Sequence, residues 1–352
     1  MKRKILKITC ILLLLTVTAF VAFFVYYFQE IRTIKSLKTY EVKDLYSLKY
    51  YADYEFDDFI KVGANDWIEY VQYVKKEVAK YLPEKIDVSG TSCSSFVAHN
   101  EKGEVLFARN FDHNYSPVVM TTTYPKNGYD MIGACDMGFL KFGKNEEIKA
   151  HELNRTNAML LCCPYVTTDG MNEYGLAMSV LDCGFAKIST IENAPTMTVC
   201  SMIRVVLENA KNVDEAIEIF KSYNISLEKP NHHFMIADAT GRSVVMEYTE
   251  DGIVAVETPV VTNFDLYDSR HRGVGQDRYE IIEETLKEKN GILSESEALD
   301  LLAKTVVTGK AQYSTLYNLT TGEVHVFTHG DSSKVETFEL KMVEDTMNNV
   351  LK

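Results

Sequence analysis

A cysteine at position 93 is followed after sixteen residues by Arg109-Asn110 and after nineteen by Asp112. A thiol near a guanidinium and a carboxylate is the composition of an activated nucleophile, because the thiolate is the attacking species and a nearby cation favours it. The intervening sequence reads as a hairpin. Phe96 to Ala98 and Val105 to Ala108 are apolar and partly β-branched or aromatic, and Asn100-Glu-Lys-Gly103 supplies turn formers. Pairing Asn100 with Gly103 across a two-residue loop predicts Cys93 opposite Asn110, with Arg109 and Asp112 within a few residues of the sulfur. The same residues also fit an ordinary hairpin with a buried cysteine and a surface ion pair.

The stretch from Cys93 to Asp112 resembles the start of the mature chain in the choloylglycine hydrolase, acid ceramidase and penicillin acyltransferase superfamily, whose members are N-terminal-nucleophile amidases acting on linear carbon-nitrogen bonds. In that family the nucleophilic cysteine opens a strand and Arg-Asn-x-Asp follows at this spacing. The resemblance implies that Cys93 is the nucleophile, with its own α-amine, freed by autocatalytic cleavage, as the base. It also implies that Asp112 orients the amine and Arg109 favours the thiolate.

Three further positions extend the resemblance. Asn263, in Val260-Val-Thr-Asn263, looks like the family's oxyanion donor; a neutral carboxamide suits a site where negative charge develops on oxygen during attack. Arg278 looks like the second active-site arginine, although a solvated arginine at a helix start has the same appearance. Asn172-Glu-Tyr-Gly-Leu to Asp182 resembles a strand that ends, in bile-salt hydrolases, at an oxyanion-hole asparagine. Here that place holds Asp182, which would repel an oxyanion unless protonated or turned away. Asp182 is therefore expected to contact a substrate amine, or to leave the hole to Asn263 and a backbone N–H.

These residues need a scaffold, and the chain from 93 to 352 alternates hairpins with helical pairs. Thr196 to Tyr223 reads as two helices broken at Lys211-Asn212, and Tyr279 to Lys289 with Ser294 to Val306 as another pair, the latter opened by a capping box at Ser294 and Glu297. Phe234 to Ala237 with Ser243 to Tyr248, and Tyr313 to Leu319 with Glu323 to Phe327, read as hairpins. Helix pairs between antiparallel hairpins fit two packed sheets with helices outside, an α+β architecture. The resemblance specifies it as the four-layer αββα fold of N-terminal-nucleophile hydrolases. Tyr115 to Phe142 and Asp265 to Gly275 read as pocket-lining loops, and His232-His233 as a structural strand start.

The region before Cys93 divides in two. Residues 1–30 hold an uncharged apolar run, Cys10 to Phe28, long enough as a helix to cross a bilayer. Lys2, Arg3, Lys4 and Lys7 precede it, which predicts a cytoplasmic N-terminus and an extracytoplasmic catalytic domain; a cleaved signal peptide is the alternative. Residues 31–92 read as a helical accessory or pro-segment. Apolar residues at 67, 68, 71, 74, 78 and 82 give helical periodicity up to Pro83, and Val88-Ser-Gly-Thr-Ser92 suits a cleavage site.

A net charge of -13 argues against a nucleic-acid partner and against electrostatic docking on anionic lipid. Seven cysteines without a CxxC pair form neither a disulfide framework nor a metal motif, and His325 and His329 fall in a strand-like run, so no metal or other cofactor is expected. The expected function is hydrolysis of a linear amide in an N-acylated small molecule through a thioester. Transfer of the acyl group to an amine would use the same intermediate. A membrane-anchored binding domain that has lost the chemistry is the rival reading.

Overall fold

Side-chain alternation along the Cys93 hairpin decides what surrounds the thiol. In the computed structural model, which describes residues 2–78, 92–143, 147–184, 189–226, 231–267 and 272–344, strands β3 (Ser92–His99) and β4 (Val105–Asp112) pair with Cys93 opposite Phe111 and Ser94 opposite Asn110. The register is one residue away from the sequence expectation because the loop is longer. Asn100 N–H donates to Glu104 O and Gly103 N–H to Asn100 O, with Gly103 at φ +81°, so a tight turn closes through a left-handed glycine. The Asn100 side chain reinforces it by accepting from the N–H groups of Lys102 and Glu104. A one-residue shift exchanges faces. Cys93 shares its face with Arg109 and Phe111, whereas Asn110 and Asp112 point to the other side.

Both faces are covered. Cys93, Val97, Phe107 and Phe111 join the main core, while Phe96, Ala98, Leu106 and Ala108 form a second cluster with Ile282, Leu286, Leu301 and Leu302. The sheet carrying the hairpin has the order β14 (Val260–Val261), β3, β4, β17 (Ala311–Asn318), β18 (Glu323–Thr328), β19 (Glu336–Glu339). Helices α8 (Gln276–Glu288) and α9 (Glu295–Lys304) pack on its outer side, and the Ser294–Glu297 capping box is present at the start of α9.

Against the inner side lies a nine-stranded sheet. Its order is β1 (Lys38–Thr39), β2 (Leu45–Tyr50), β5 (Val118–Thr123), β6 (Met131–Asp136), β7 (Thr167–Asn172), β8 (Ala177–Asp182), β11 (His232–Ala237), β12 (Ser243–Thr249), β13 (Gly252–Glu257). Ser95 Oγ on β3 meets Ser179 Oγ on β8 at 2.9 Å across the interface. Helices α6 (Val199–Asn209) and α7 (Val213–Phe220) cover its far side, completing four layers. Two short pairs, β9 (Thr196–Met197) with β10 (Asn224–Ile225) and β15 (Asn263–Phe264) with β16 (Gly273–Val274), and the single-turn α5 (Arg155–Ala158) complete this part. The segment read as a loop from Tyr115 to Phe142 holds the β5–β6 hairpin, so it is largely scaffold.

The N-terminal part begins with α1 (Lys2–Tyr26), whose residues Lys7–Tyr26 have mean hydropathy 2.7 and no burial in the protein. Residues 28–78 contain α2 (Phe28–Lys35), α3 (Phe56–Val62) and α4 (Trp67–Glu77), but also β1 and β2, which the helical reading omits. β2 adds to the large sheet in parallel with β5 and buries Leu45, Leu48 and Tyr50. Phe59 and Tyr70 stack edge-on at 5.3 Å, Tyr70 meets the Tyr165 ring at 5.6 Å, and Tyr70 Oη donates to Tyr165 O. The helix extension to Leu82, the stop at Pro83 and the stretch 88–91 lie outside the described residues.

This shared core predicts one cooperative transition. Phe59→Ala is expected to cost about 3–5 kcal/mol. In urea unfolding of the full-length chain, fluorescence of Trp67, the single tryptophan, should change together with far-UV circular dichroism; separated transitions would show that residues 31–78 fold independently.

Candidate active site

Strand β14 runs antiparallel to β3 with Val260 opposite Phe96 and Val261 opposite Ser95. Two residues further, this register brings Asn263 to Cys93. There the asparagine side chain takes over from the backbone ladder: its Oδ1 accepts from Cys93 N–H at 2.6 Å. Arg278 Nη2 donates to the same oxygen at 2.8 Å, and Arg278 Nη1 donates to Cys93 O at 2.7 Å. With Oδ1 fixed by two donors, Nδ2 faces the other way and donates to Asp182 O at 2.8 Å.

Arg278 reaches Cys93 because α8 starts immediately before it. Gly275, at φ +94°, precedes the helix, and a Cβ there would lie 2.5 Å from Arg278 Nη2. The turn therefore needs glycine for its dihedral and for the guanidinium that folds over it.

Asp112 occupies the helix-facing side of β4. Its Oδ1 accepts from Val307 N–H at 3.0 Å, while Oδ2 is buried without a hydrogen bond, 3.8 Å from Arg278 Nη1. Burial raises its pKa to about 6, against the opposing pull of Val307 N–H, Arg278 and Arg109. Asn110, on the same face, ties β4 to the C-terminal end of α9, donating to Leu302 O at 2.9 Å and accepting from Ser314 Oγ at 2.6 Å.

Arg109 lies on the other face with the thiol. It is fully buried, with the Cys93 thiol as the hydrogen-bonding neighbour of its guanidinium. Burial works against its charge, but the Cys93 thiol and the Asp169 carboxylate outweigh this and raise its pKa. Asp169 stands 3.8 Å from Arg109 Nε and is itself held by Tyr313 Oη at 2.5 Å, Tyr317 Oη at 2.6 Å and Thr315 Oγ1 at 3.1 Å. Those neutral donors occupy the carboxylate, so Asp169 acts on Arg109 across 3.8 Å by charge and leaves the guanidinium to the thiol. Asp169 escaped the sequence reading; the alternation Tyr313, Thr315, Tyr317 on one strand face is the signal that could have flagged a buried acceptor.

Cys93, Arg109, Asp112, Asn263 and Arg278 are thus gathered at one end of the hairpin. Asp182 joins them through its backbone carbonyl, while its carboxylate lies 3.1 Å from His232 Nε2. Pairing of β7 with β8 ends at Asp169 and Ser179, so the strands part before Asp182. A small cavity there is lined by Phe111, Phe139, Thr168, Val180, Asp182 and His232. On the helix side of the small sheet, Glu295, Glu323 and His325 bring one ligand atom each within 4.8 Å of one another. His325 Nδ1 is already engaged with Thr337 Oγ1 at 3.0 Å.

The sequence profile of the linear amide C-N hydrolases, choloylglycine hydrolase family, matches residues 93–291, more than half of the 352 residues. A bile salt hydrolase/transferase of Clostridium perfringens is 29% identical over 194 residues, 50% of this chain and 54% of that protein. A penicillin V acylase of Pectobacterium atrosepticum is 28% identical over 119 residues, 30% of this chain and 32% of that protein. The chain thus spans about half the length, or less, of these curated relatives.

Among solved structures, an arginine-to-leucine variant of the C. perfringens conjugated bile acid hydrolase superposes with a TM-score of 0.51 at 18% identity, covering 70% of this chain and 92% of that one. The penicillin V acylase from Agrobacterium tumefaciens gives 0.50 at 17% identity, covering 72% and 89%. At these identities the likeness concerns the fold, which is that of the N-terminal-nucleophile hydrolases. With the profile starting at Cys93 itself, the chain belongs to the choloylglycine hydrolase family of linear amide C-N hydrolases.

Proposed function

We propose that this protein hydrolyses the linear amide of an N-acylated small molecule with Cys93 as nucleophile, after cleavage between Ser92 and Cys93. The observation that carries the reading is the convergence of Asn263 and Arg278 on the backbone N and O of Cys93, with Asp112 behind Arg278. An enzyme that uses the α-amine of its first residue as base needs its backbone held, not only its thiol. A binding domain has no use for a buried cation beside a thiol and a buried carboxylate with one oxygen unbonded, both of which oppose stability.

In the proposed reaction the amine takes the thiol proton, and Arg109 favours the resulting thiolate. The sulfur adds to the amide carbon, and the developing oxyanion receives the second Nδ2–H of Asn263. The ammonium returns its proton to the leaving nitrogen, the C–N bond breaks, and water, deprotonated by the amine, releases the acid from the thioester. An amine in place of water gives acyl transfer, the second activity in the name of the clostridial relative. Asp182, paired with His232 at the cavity, is read as a contact to the substrate. No step calls for a cofactor. The apolar α1 is read as a retained membrane anchor with its basic end in the cytoplasm and the catalytic domain outside.

Intact mass and N-terminal sequencing should find a chain starting at Cys93 in the wild type and an uncut chain in Cys93→Ala. The fragment ending at Ser92 should co-purify with the rest, because Leu45, Phe59 and Tyr70 lie in the common core. An uncut wild type without thiol-dependent activity on an N-acyl amino acid panel would refute the reading.

Asn263→Ala should lower kcat by about 10²–10³-fold, the scale for loss of one oxyanion donor. Asp112 predicts a pH effect on stability in the uncut Cys93→Ala background. Its folded pKa of about 6 exceeds the ordinary 3.8, so the folded state binds the proton more tightly and stability falls as pH rises from about 4 to 6. The loss, at most roughly 3 kcal/mol from the size of the shift, is complete above pH 6. Adding Asp112→Asn should therefore raise the unfolding midpoint at pH 7 relative to its effect at pH 4, as followed by thermal denaturation.

A further inference from the structure

We infer that His233 and Glu247 form a buried positioning pair that sets the carboxamide of Asn263 by clamping the backbone on both sides of it. The inference rests on the reading of Asn263 as oxyanion donor. His233 and Glu247 are cross-strand partners on β11 and β12, with side chains 0% and 5% exposed. His233 Nε2 lies 2.7 Å from Thr262 O, the carbonyl immediately before Asn263. A carbonyl only accepts, so Nε2 carries the hydrogen. The other ring nitrogen faces Glu247 Oε1 at 3.1 Å. Glu247 accepts Leu266 N–H at 2.8 Å on Oε1 and Tyr267 N–H at 2.9 Å on Oε2.

The electrostatics agree with this geometry. Burial alone would raise the pKa of Glu247, but the bond and charge of His233 and the two backbone N–H donors outweigh it and lower it. The carboxylate thus faces Nδ1 of the ring whose Nε2 donates to Thr262 O. Burying a carboxylate is costly unless its hydrogen-bonding capacity is filled. Here the partners outside the pair are backbone groups of residues 262, 266 and 267, the segment that carries Asn263.

That segment crosses from the small sheet at Val260–Val261 to the end of the large one. A donor on a connecting segment is poorly placed for catalysis unless its backbone is fixed, since a displacement of 1 Å can cost about 100-fold in rate. Contacts from Cys93 and Arg278 fix the tip of the Asn263 side chain. His233 and Glu247 fix its root. Thr262 Oγ1 adds a bond to Gly275 O at 3.0 Å, joining the segment to the turn that seats Arg278.

The test compares Glu247→Gln with Glu208→Gln in the full-length protein. Glu208 forms a buried pair with Arg204 on α6, away from this segment, and serves as a control for general destabilisation. Glu247→Gln is expected to lower kcat by ~10- to 100-fold with little change in KM, and to speed hydrogen exchange across residues 262–267. Glu208→Gln should lower the melting temperature while leaving kcat and that exchange unchanged. In an Asn263→Ala background Glu247→Gln should add almost nothing to the loss of kcat, because the pair acts through Asn263. A wild-type kcat in Glu247→Gln, or a full additive loss in the Asn263→Ala background, would overturn the inference. If the wild type hydrolyses no amide, the amidase reading fails by itself and the exchange arm decides the pair: unchanged exchange at 262–267 in Glu247→Gln rejects it.

Discussion

The carboxamide of Asn263 joins three parts of the molecule. Its oxygen accepts from the first strand of the small sheet and from the start of α8, and its nitrogen donates to the last residue of β8 in the large sheet. Such an amide has one satisfied orientation, because reversing it would set N–H groups against N–H groups and a carbonyl against a carbonyl. The separation of the two sheets at this end, the direction of Arg278 and the backbone position of Cys93 are all tied to that orientation.

Around it the charges are segregated by strand alternation. Arg109 shares the inner face with the thiol, where Asp169, saturated by two tyrosines and a threonine, balances its charge without binding it directly. Asp112 sits on the outer face with Arg278 and the end of α9. Had both lain on one face, a direct buried ion pair would have neutralised the guanidinium beside the thiol. Burial of the carboxylate appears as the raised pKa of Asp112 and as an Oδ2 without a hydrogen bond.

The segment before Cys93 is part of this arrangement. β2 extends the large sheet, and Phe59 and Tyr70 pack on Tyr165, in the short helical stretch that leads into β7. β7 carries Asp169. The N-terminal segment therefore buttresses the strand that balances Arg109, and a break in the chain before Cys93 would leave that support in place through packing alone.

The sequence by itself determined the family, the main hairpins, the two helix pairs and five of the residues that meet at Cys93, because motif spacing along a strand and helical periodicity are local properties. Three things were settled only by tertiary structure. The face on which Arg109 and Asp112 lie depended on a single extra residue in the Asn100–Glu104 loop, and a shift of one residue inverts every side chain. Strand β2 is legible only through its partner β5, since a short strand added in parallel takes its register from the sheet it joins. Asp169, His233 and Glu247 lie 60 to 138 residues from Arg109 in the chain, and a buried charge acquires its role from partners that only folding brings within reach.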